Sequence, residues 1–384
     1  MKTLSLFCVL FFLTACSSLE VARDRYFSGG QREFLVSKHW VRQTLTQDNL
    51  KYRKINRFQP MAYKDLLIQG NAIDGLVAYE RDSGRLVWRR VVPLGVESSG
   101  TLINDRLFVG GNDGQYYSID ADDGSVLWTF PIRIEALSQP LLDNGVLYFL
   151  TGNNSLYALD ASSGKQLWQY SRQDATQLTV RGGSRPVIKN GTLFVGFSDG
   201  AFVAVLASNG AVKWEKQLSK NKKFRDIDSD PVIDGDFVYI AGFDDQTYAL
   251  RAATGDIVWS VKQGGYGQLL MNGDHLYLAS SDSKILKLKK ESGDTVWTFT
   301  MKQGVASLGG FLPGILVFGG SSDDLYFLDL QNGKLIERFT PGRGIFSAPL
   351  VDEKKGQVAF ISGEGNLYLM NARWAYKKHI PYLR

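Results

Sequence analysis

The chain has 384 residues, a formal net charge of +5, 12% aromatic residues, 40 glycines, 10 prolines and two cysteines. That charge is modest for the length and no Arg/Lys stripe is interleaved with aromatics, which argues against nucleic-acid binding. Abundant glycine and aromatic residues with little proline suit short strands joined by tight turns better than helices.

The N-terminus carries Lys2, an apolar run from Leu4 to Leu13 and then Thr14-Ala15-Cys16. This has the length of an export signal and is too short for a comfortable membrane span, so residues 1–15 are expected to be a signal peptide. Leu13-Thr14-Ala15-Cys16 resembles a bacterial lipobox, which implies cleavage before Cys16 and lipidation of its thiol. The residues alone also permit an ordinary secreted chain with an incidental cysteine. Several acyl chains on one cysteine would anchor stably, each buried methylene contributing about 0.8 kcal/mol. Ser17 follows the cysteine where an inner-membrane retention signal places Asp, so the periplasmic face of the outer membrane is the expected location. Residues 16–37 lack strong periodicity and are expected to be a tether. His39 to Leu45 then offers a strand candidate containing Trp40, with no hairpin before it.

From Leu76 onward one pattern recurs: alternating residues, a polar turn with glycine, and a short strand ending in tryptophan. Leu156 to Trp168 (LYALDASSGKQLW) is the clearest copy, and Gln115 to Trp128, Thr247 to Trp259 and Ile285 to Trp297 repeat it. The turn glycines are Gly84, Gly124, Gly164, Gly210, Gly255, Gly293 and Gly333, spaced by 40, 40, 46, 45, 38 and 40 residues. Six are followed four residues later by tryptophan, and Glu337 breaks the rule in the seventh. An eighth unit starts at Ala348 and ends without the glycine-tryptophan strand. A period near 40 marks a solenoid or a propeller, and the missing strand is the one stranded at Trp40, which points to a closed ring. We therefore expect an all-β, eight-bladed β-propeller of four-stranded antiparallel blades over residues 38–375. The N-terminal strand should close the last blade, and residues 376–384 should form a basic tail. Closure of this kind protects sheet edges that an open array would expose. The tryptophans read most simply as packing between blades.

The YALDAxTGxxxW-like core resembles the tryptophan-docked repeat of pyrroloquinoline quinone enzymes, a family that also includes non-catalytic scaffolds. The vicinal cysteine pair of the enzymes has no counterpart, because the only cysteines are Cys8 and Cys16. No calcium-ligand motif is apparent, so no cofactor and no enzymatic activity are expected. A periplasmic quinoprotein-like or ligand-binding propeller is the alternative. His39, His275 and His379 are widely spaced and lack metal-ligand partners. Asp113, Asp199, Asp244, Asp245, Asp282, Asp323 and Asp324 recur between second and third strands, where aspartate favours tight turns.

The spacings of 46 and 45 lengthen two neighbouring connections, between Gln169 and Pro186 and between Glu215 and Pro231. Loops on a rigid ring are where interaction usually resides. Consecutive blades should bring these two side by side on one face. The first holds Leu178-Thr179-Val180-Arg181-Gly182 and the second Asp226-Ile227-Asp228. With the lipobox and eight repeats, these segments resemble the BamB family of outer-membrane assembly lipoproteins. The resemblance implies a non-catalytic scaffold of the β-barrel assembly machinery that docks on the POTRA domains of a BamA-type barrel subunit and assists unfolded barrel clients. It assigns Leu178, Val180 and Arg181 as apolar and cationic anchors, and Asp226 and Asp228 as anionic ones. The residues themselves equally allow Leu178 and Val180 as alternate positions of an inner strand and the aspartates as part of a solvated loop.

Overall fold

The computed structural model describes residues 32–46, 55–136, 138–172, 183–219, 225–243, 246–265 and 267–376. Among them the only regular elements are β-strands: thirty-two strands in eight four-stranded antiparallel sheets, arranged as an eight-bladed β-propeller. Blade 3 shows how the sequence builds one unit, with strands Leu141–Asp143, Val146–Leu150, Ser155–Asp160 and Gln166–Ser171 paired in chain order. Alternation sends the two faces to different neighbours. Leu147, Phe149 and Leu159 pack with Phe108 and Tyr116 of blade 2, while Tyr148, Leu150 and Leu156 pack with Leu193, Val195 and Phe197 of blade 4. Each sheet is thus buried on both sides, which period-two patterning permits.

The outer strand of each of the first seven blades contains a β-bulge opposite the third strand. In blade 3 it lies between Ala158 and Leu159, which pair with Trp168 and Gln166. The skipped residue, Leu167, is turned out to solvent, and the added twist re-aims Trp168 towards the next blade. Trp168 donates its indole N–H to the Ala207 carbonyl at 2.9 Å, and Trp88, Trp128, Trp214, Trp259 and Trp297 make the equivalent bond to the following blade. The turn glycine is required twice over. Gly164 has φ +72°, and a Cβ there would sit 2.7 Å from the Trp128 ring. The packing role expected of the tryptophans is what the structure shows.

The ring is closed by the two ends of the chain. Arg32–Gln43 pairs antiparallel with Asn366–Tyr376 as the outer strand of blade 8, and Trp40 donates to the Arg81 carbonyl of blade 1 at 2.7 Å. The closing strand begins at Arg32, six residues inside the segment expected to be tether, and its partner runs on to Tyr376. The reason lies in blade 7. A tryptophan docks on the turn between third and fourth strands of the next blade, and blade 8 has no such turn because its third strand continues into the long ribbon. Phe34 fills the place instead. It is 7% exposed, packs among Phe327, Met370 and Ala372, and meets Trp374 edge-on at 5.3 Å. Trp374 in turn donates to the Pro313 carbonyl at 3.0 Å. Glu337, left without a docking turn, is exposed. Residues 377–384 of the expected basic tail and the signal and lipidation segment, with Cys16, lie outside the described residues.

Candidate functional site

The two long connections leave the outer strands of blades 3 and 4 and return to the innermost strands of blades 4 and 5. Leu178, Val180 and Arg181 fall within residues 173–182, outside the described residues. Their near root is described and is held by Arg172. This side chain donates from Nε to Asp199 at 2.8 Å, from its terminal nitrogens to both Glu215 oxygens at 2.8 and 2.9 Å, and to the Tyr170 hydroxyl at 3.0 Å. Its guanidinium also lies 5.5 Å from the Phe197 ring centre. Burial works against the charge, but bonds to Glu215, Asp199 and Tyr170 outweigh it and hold the guanidinium more firmly protonated than usual. The same bond from Arg172 keeps the Glu215 carboxyl below the ordinary carboxylate range. Blade 3 is thereby clamped to blade 4 where the first long connection departs.

At its far root the backbone N–H of Arg185 donates to Asp230 Oδ1 at 2.8 Å, tying the first connection to the end of the second. The described far ends of the two are therefore neighbours. The second connection is sewn into the ring. Ile227, fully buried, packs with Phe194, Phe202 and Val238, and its N–H bonds the Phe197 carbonyl at 3.2 Å. The Ser229 hydroxyl accepts the Ala241 N–H at 2.8 Å.

This arrangement corrects the picture of Asp226 and Asp228 as displayed anions or parts of a solvated loop. Asp226 is 0% exposed and Asp228 6%. With Ile227 and Ser229 committed to blades 4 and 5, alternation turns Asp228 and Asp230 inward, towards the propeller axis. There they line a cavity of about 400 Å³ to which all eight blades contribute, among them Arg57, Glu97, Gln139 and Gln268. Burial raises the Asp228 carboxyl well above the ordinary range; the charges of Asp226 and Asp230 add to this, and Arg57 opposes it. Burial likewise raises Asp230, against the Arg185 N–H and charge. The axial residues Arg57, Glu97 and Asp230 escaped sequence reasoning. For Asp230 a usable signal existed, since in Gln59-Pro60, Gln139-Pro140, Asp230-Pro231 and Ala348-Pro349 the residue before the proline lines the cavity; Arg57 and Glu97 carry no such mark.

Of the remaining candidates, His379 lies outside the described residues and several others serve the fold. His39 Nε2 lies 2.9 Å from the Asp82 carbonyl, and among the described residues no group of three or more His, Cys, Asp or Glu side chains is placed to hold a metal ion. Asp113 accepts from the Gln115 N–H and the Tyr117 hydroxyl, and Asp323 from the Asp324 N–H and the Tyr326 hydroxyl, so these acidic positions stabilise turns. Asp244 and Asp245 lie outside the described residues.

Comparison with known proteins gives three findings. The family model described as outer membrane protein assembly factor BamB matches residues 72–299 and 245–378. No curated protein matches the chain. Among solved structures, BamB from Moraxella catarrhalis is similar with a TM-score of 0.74 and 18% identity, covering 88% of this chain and 100% of that one. Quinohemoprotein alcohol dehydrogenase from Comamonas testosteroni is similar with a TM-score of 0.72 and 11% identity over 91% of this chain and 78% of that one. The computationally designed protein Ika8 gives 0.69 and 13% over 82% and 96%.

Proposed function

The chain belongs to the family of outer membrane protein assembly factor BamB, and on that premise we propose that it is a non-catalytic lipoprotein scaffold of the β-barrel assembly machinery. In this reading Cys16 carries the lipid anchor at the periplasmic face of the outer membrane. The face bearing the two long connections docks on the POTRA domains of a BamA-type subunit. The observation that carries it is the pairing of these connections on one rigid face, clamped at one root by Arg172 and joined at the other through Arg185 and Asp230. Leu178, Val180 and Arg181 supply the contacts, since apolar anchors beside an arginine are typical of binding hot spots. Ile227 and Ser229 fix the course of the second connection from within, and Asp226 and Asp228 lie buried beside them rather than on the docking surface. Barrel clients meet the ring elsewhere. Its outer strands present Leu86, Val87, Leu127, Leu167 and Ile257 to solvent along unpaired sheet edges, a surface suited to extended apolar segments.

The test is co-purification from detergent-solubilised membranes. The wild-type chain should retain BamA and Arg181→Glu should lose it. Undiminished BamA on Arg181→Glu would overturn the docking segment, and BamA missing from both would overturn the scaffold reading itself.

The quinone-enzyme alternative meets an electrostatic objection at the axis. Pyrroloquinoline quinone is a tricarboxylate, whereas the axial cavity is lined by the carboxyl groups of Glu97, Asp228 and Asp230 against the single guanidinium of Arg57. These residues do not fit that cofactor, and among the described residues none are grouped for a calcium ion beside it.

A further inference from the structure

We propose that the axial cavity is a binding site for a small organic cation, an alkylammonium or alkylguanidinium compound, with Asp228 as its counter-ion. The cavity's volume of about 400 Å³ is within the range of small-molecule sites. What singles out Asp228 is the state of its neighbours. Several polar groups around the axis are spent on joining blades: Gln59 donates to the Pro349 carbonyl, Gln139 to that of Gly100, Ser307 to that of Phe346, and Asp230 accepts from Arg185. The Ser98 hydroxyl on the same wall has, like Asp228 Oδ2, no hydrogen-bond partner among the described residues. Asp228 is 6% exposed and lines the same space, yet its Oδ2 accepts no hydrogen bond. A buried acceptor left without a donor is unfavourable, and a ligand that brings the donor gains what the empty site lacks.

The rest of the wall defines the ligand's class. Among the described residues the wall carries three carboxyl groups and one guanidinium, so once a cation displaces the protons that burial keeps on Asp228 and Asp230 the balance favours positive charge. A bare metal ion is disfavoured because no three acidic or histidine side chains converge among the described residues. Ile55, Leu308 and Phe346 provide apolar wall for a short aliphatic body. Burial, helped by the charges of Asp226 and Asp230 and opposed by the guanidinium of Arg57, leaves Asp228 holding its proton to higher pH than usual. A cation that pairs with the carboxylate displaces that proton, so binding strengthens as pH rises.

The experiment is isothermal calorimetry of the purified full-length protein in detergent with agmatine as probe, between pH 6 and pH 8. One saturable site is expected in the wild type, with affinity rising by up to about tenfold per pH unit while the proton is displaced. Asp228→Asn, shown to be folded by circular dichroism, should bind at least about tenfold more weakly, the factor equivalent to some 1.4 kcal/mol. Uncharged 1,4-butanediol and sodium chloride at matched ionic strength should give no saturable heat. The proposal is overturned by the absence of a saturable isotherm, by an equal response to sodium chloride, or by unchanged affinity in Asp228→Asn. Should that variant fail to fold, a wild-type affinity that does not change from pH 6 to pH 8 overturns it. The calorimetry contains no BamA, so its failure leaves the docking reading standing and the converse holds as well.

Discussion

Arg172→Met removes a charge while keeping an aliphatic stem of similar reach, and so isolates what the guanidinium does at the root of the first long connection. The side chains of Arg172 and Asp199 are 14% and 11% exposed, whereas that of Glu215 is 42% exposed. Stranding the Asp199 carboxylate should therefore dominate, at about 3–5 kcal/mol, with Glu215 adding at most ~1 kcal/mol. For a cooperative unit of this size that corresponds to a fall in Tm of about 4–7 °C, which leaves the ring folded at growth temperature. Adding Asp199→Asn removes the stranded charge and should restore most of the loss. The functional effect should persist in the double variant, because the loop root stays unclamped: BamA co-purification falls in both. The pH dependence provides a second check. In the wild type the depressed Glu215 carboxyl contributes stability that is present above the unfolded value near 4.3 and is lost as pH falls through the lower folded value; without Arg172 this contribution should vanish. If Asp199→Asn failed to rescue the melting temperature, the cost would not be an uncompensated charge. If stability were rescued and BamA retention fully restored, Arg172 would not position the docking loop.

Three further outcomes follow from the ring itself. Phe34→Ala should cost about 3–5 kcal/mol in urea unfolding, whereas Leu35→Ala, at a position 44% exposed, should cost under ~1 kcal/mol; equal costs would mean that Phe34 does not replace the missing tryptophan. Gly164→Ala should destabilise by about 1–3 kcal/mol beyond Gly145→Ala, since both have positive φ but only the former meets an indole ring; thermal melts of the pair decide this. Asp228→Asn should stabilise the unliganded protein increasingly as pH rises from 5 to 8. The folded chain holds this proton to higher pH than the unfolded chain, whose carboxyl releases it near 3.9, so the wild type loses stability over that interval. A urea midpoint difference that is constant with pH would refute it.

The propeller was legible because one glycine serves two constraints at once. A turn with φ near +70° and an indole stacked on it leave no alternative residue, so Gly124, Gly164 and Gly210 recur with their tryptophans in register. Ring closure was legible from the stray Trp40 for the same reason. The true start of the closing strand was not, because Arg32 to Ser37 is held by blade 7, some three hundred residues away in sequence, and nothing local to Phe34 announces that contact. Glu337 marked an irregular blade but could not say what replaced its tryptophan. The aspartates misled for a different reason. Charge suggests water, and D-I-D-S-D reads as a surface loop until Ile227 and Ser229 are known to be fixed by blades 4 and 5. The pair of long connections was visible as a disturbance of the period, whereas the axial cavity was not, since each blade contributes only a few residues to it.

The pairing of Arg32–Gln43 with Asn366–Tyr376 also sets an order of events in time. Arg32 and Tyr376 are 344 positions apart, so the first strand of the ring to be synthesised must wait for the last before it finds a partner. Contacts of such separation form slowly, and a strand that waits exposes its backbone in the meantime. Until the chain is complete to Tyr376, blade 8 lacks its paired outer strand and the cleft beside blade 7 lacks Phe34. Closure of the ring is therefore tied to completion of the chain, and a chain truncated a few residues before Tyr376 should be cleaved faster by an added protease than the whole one.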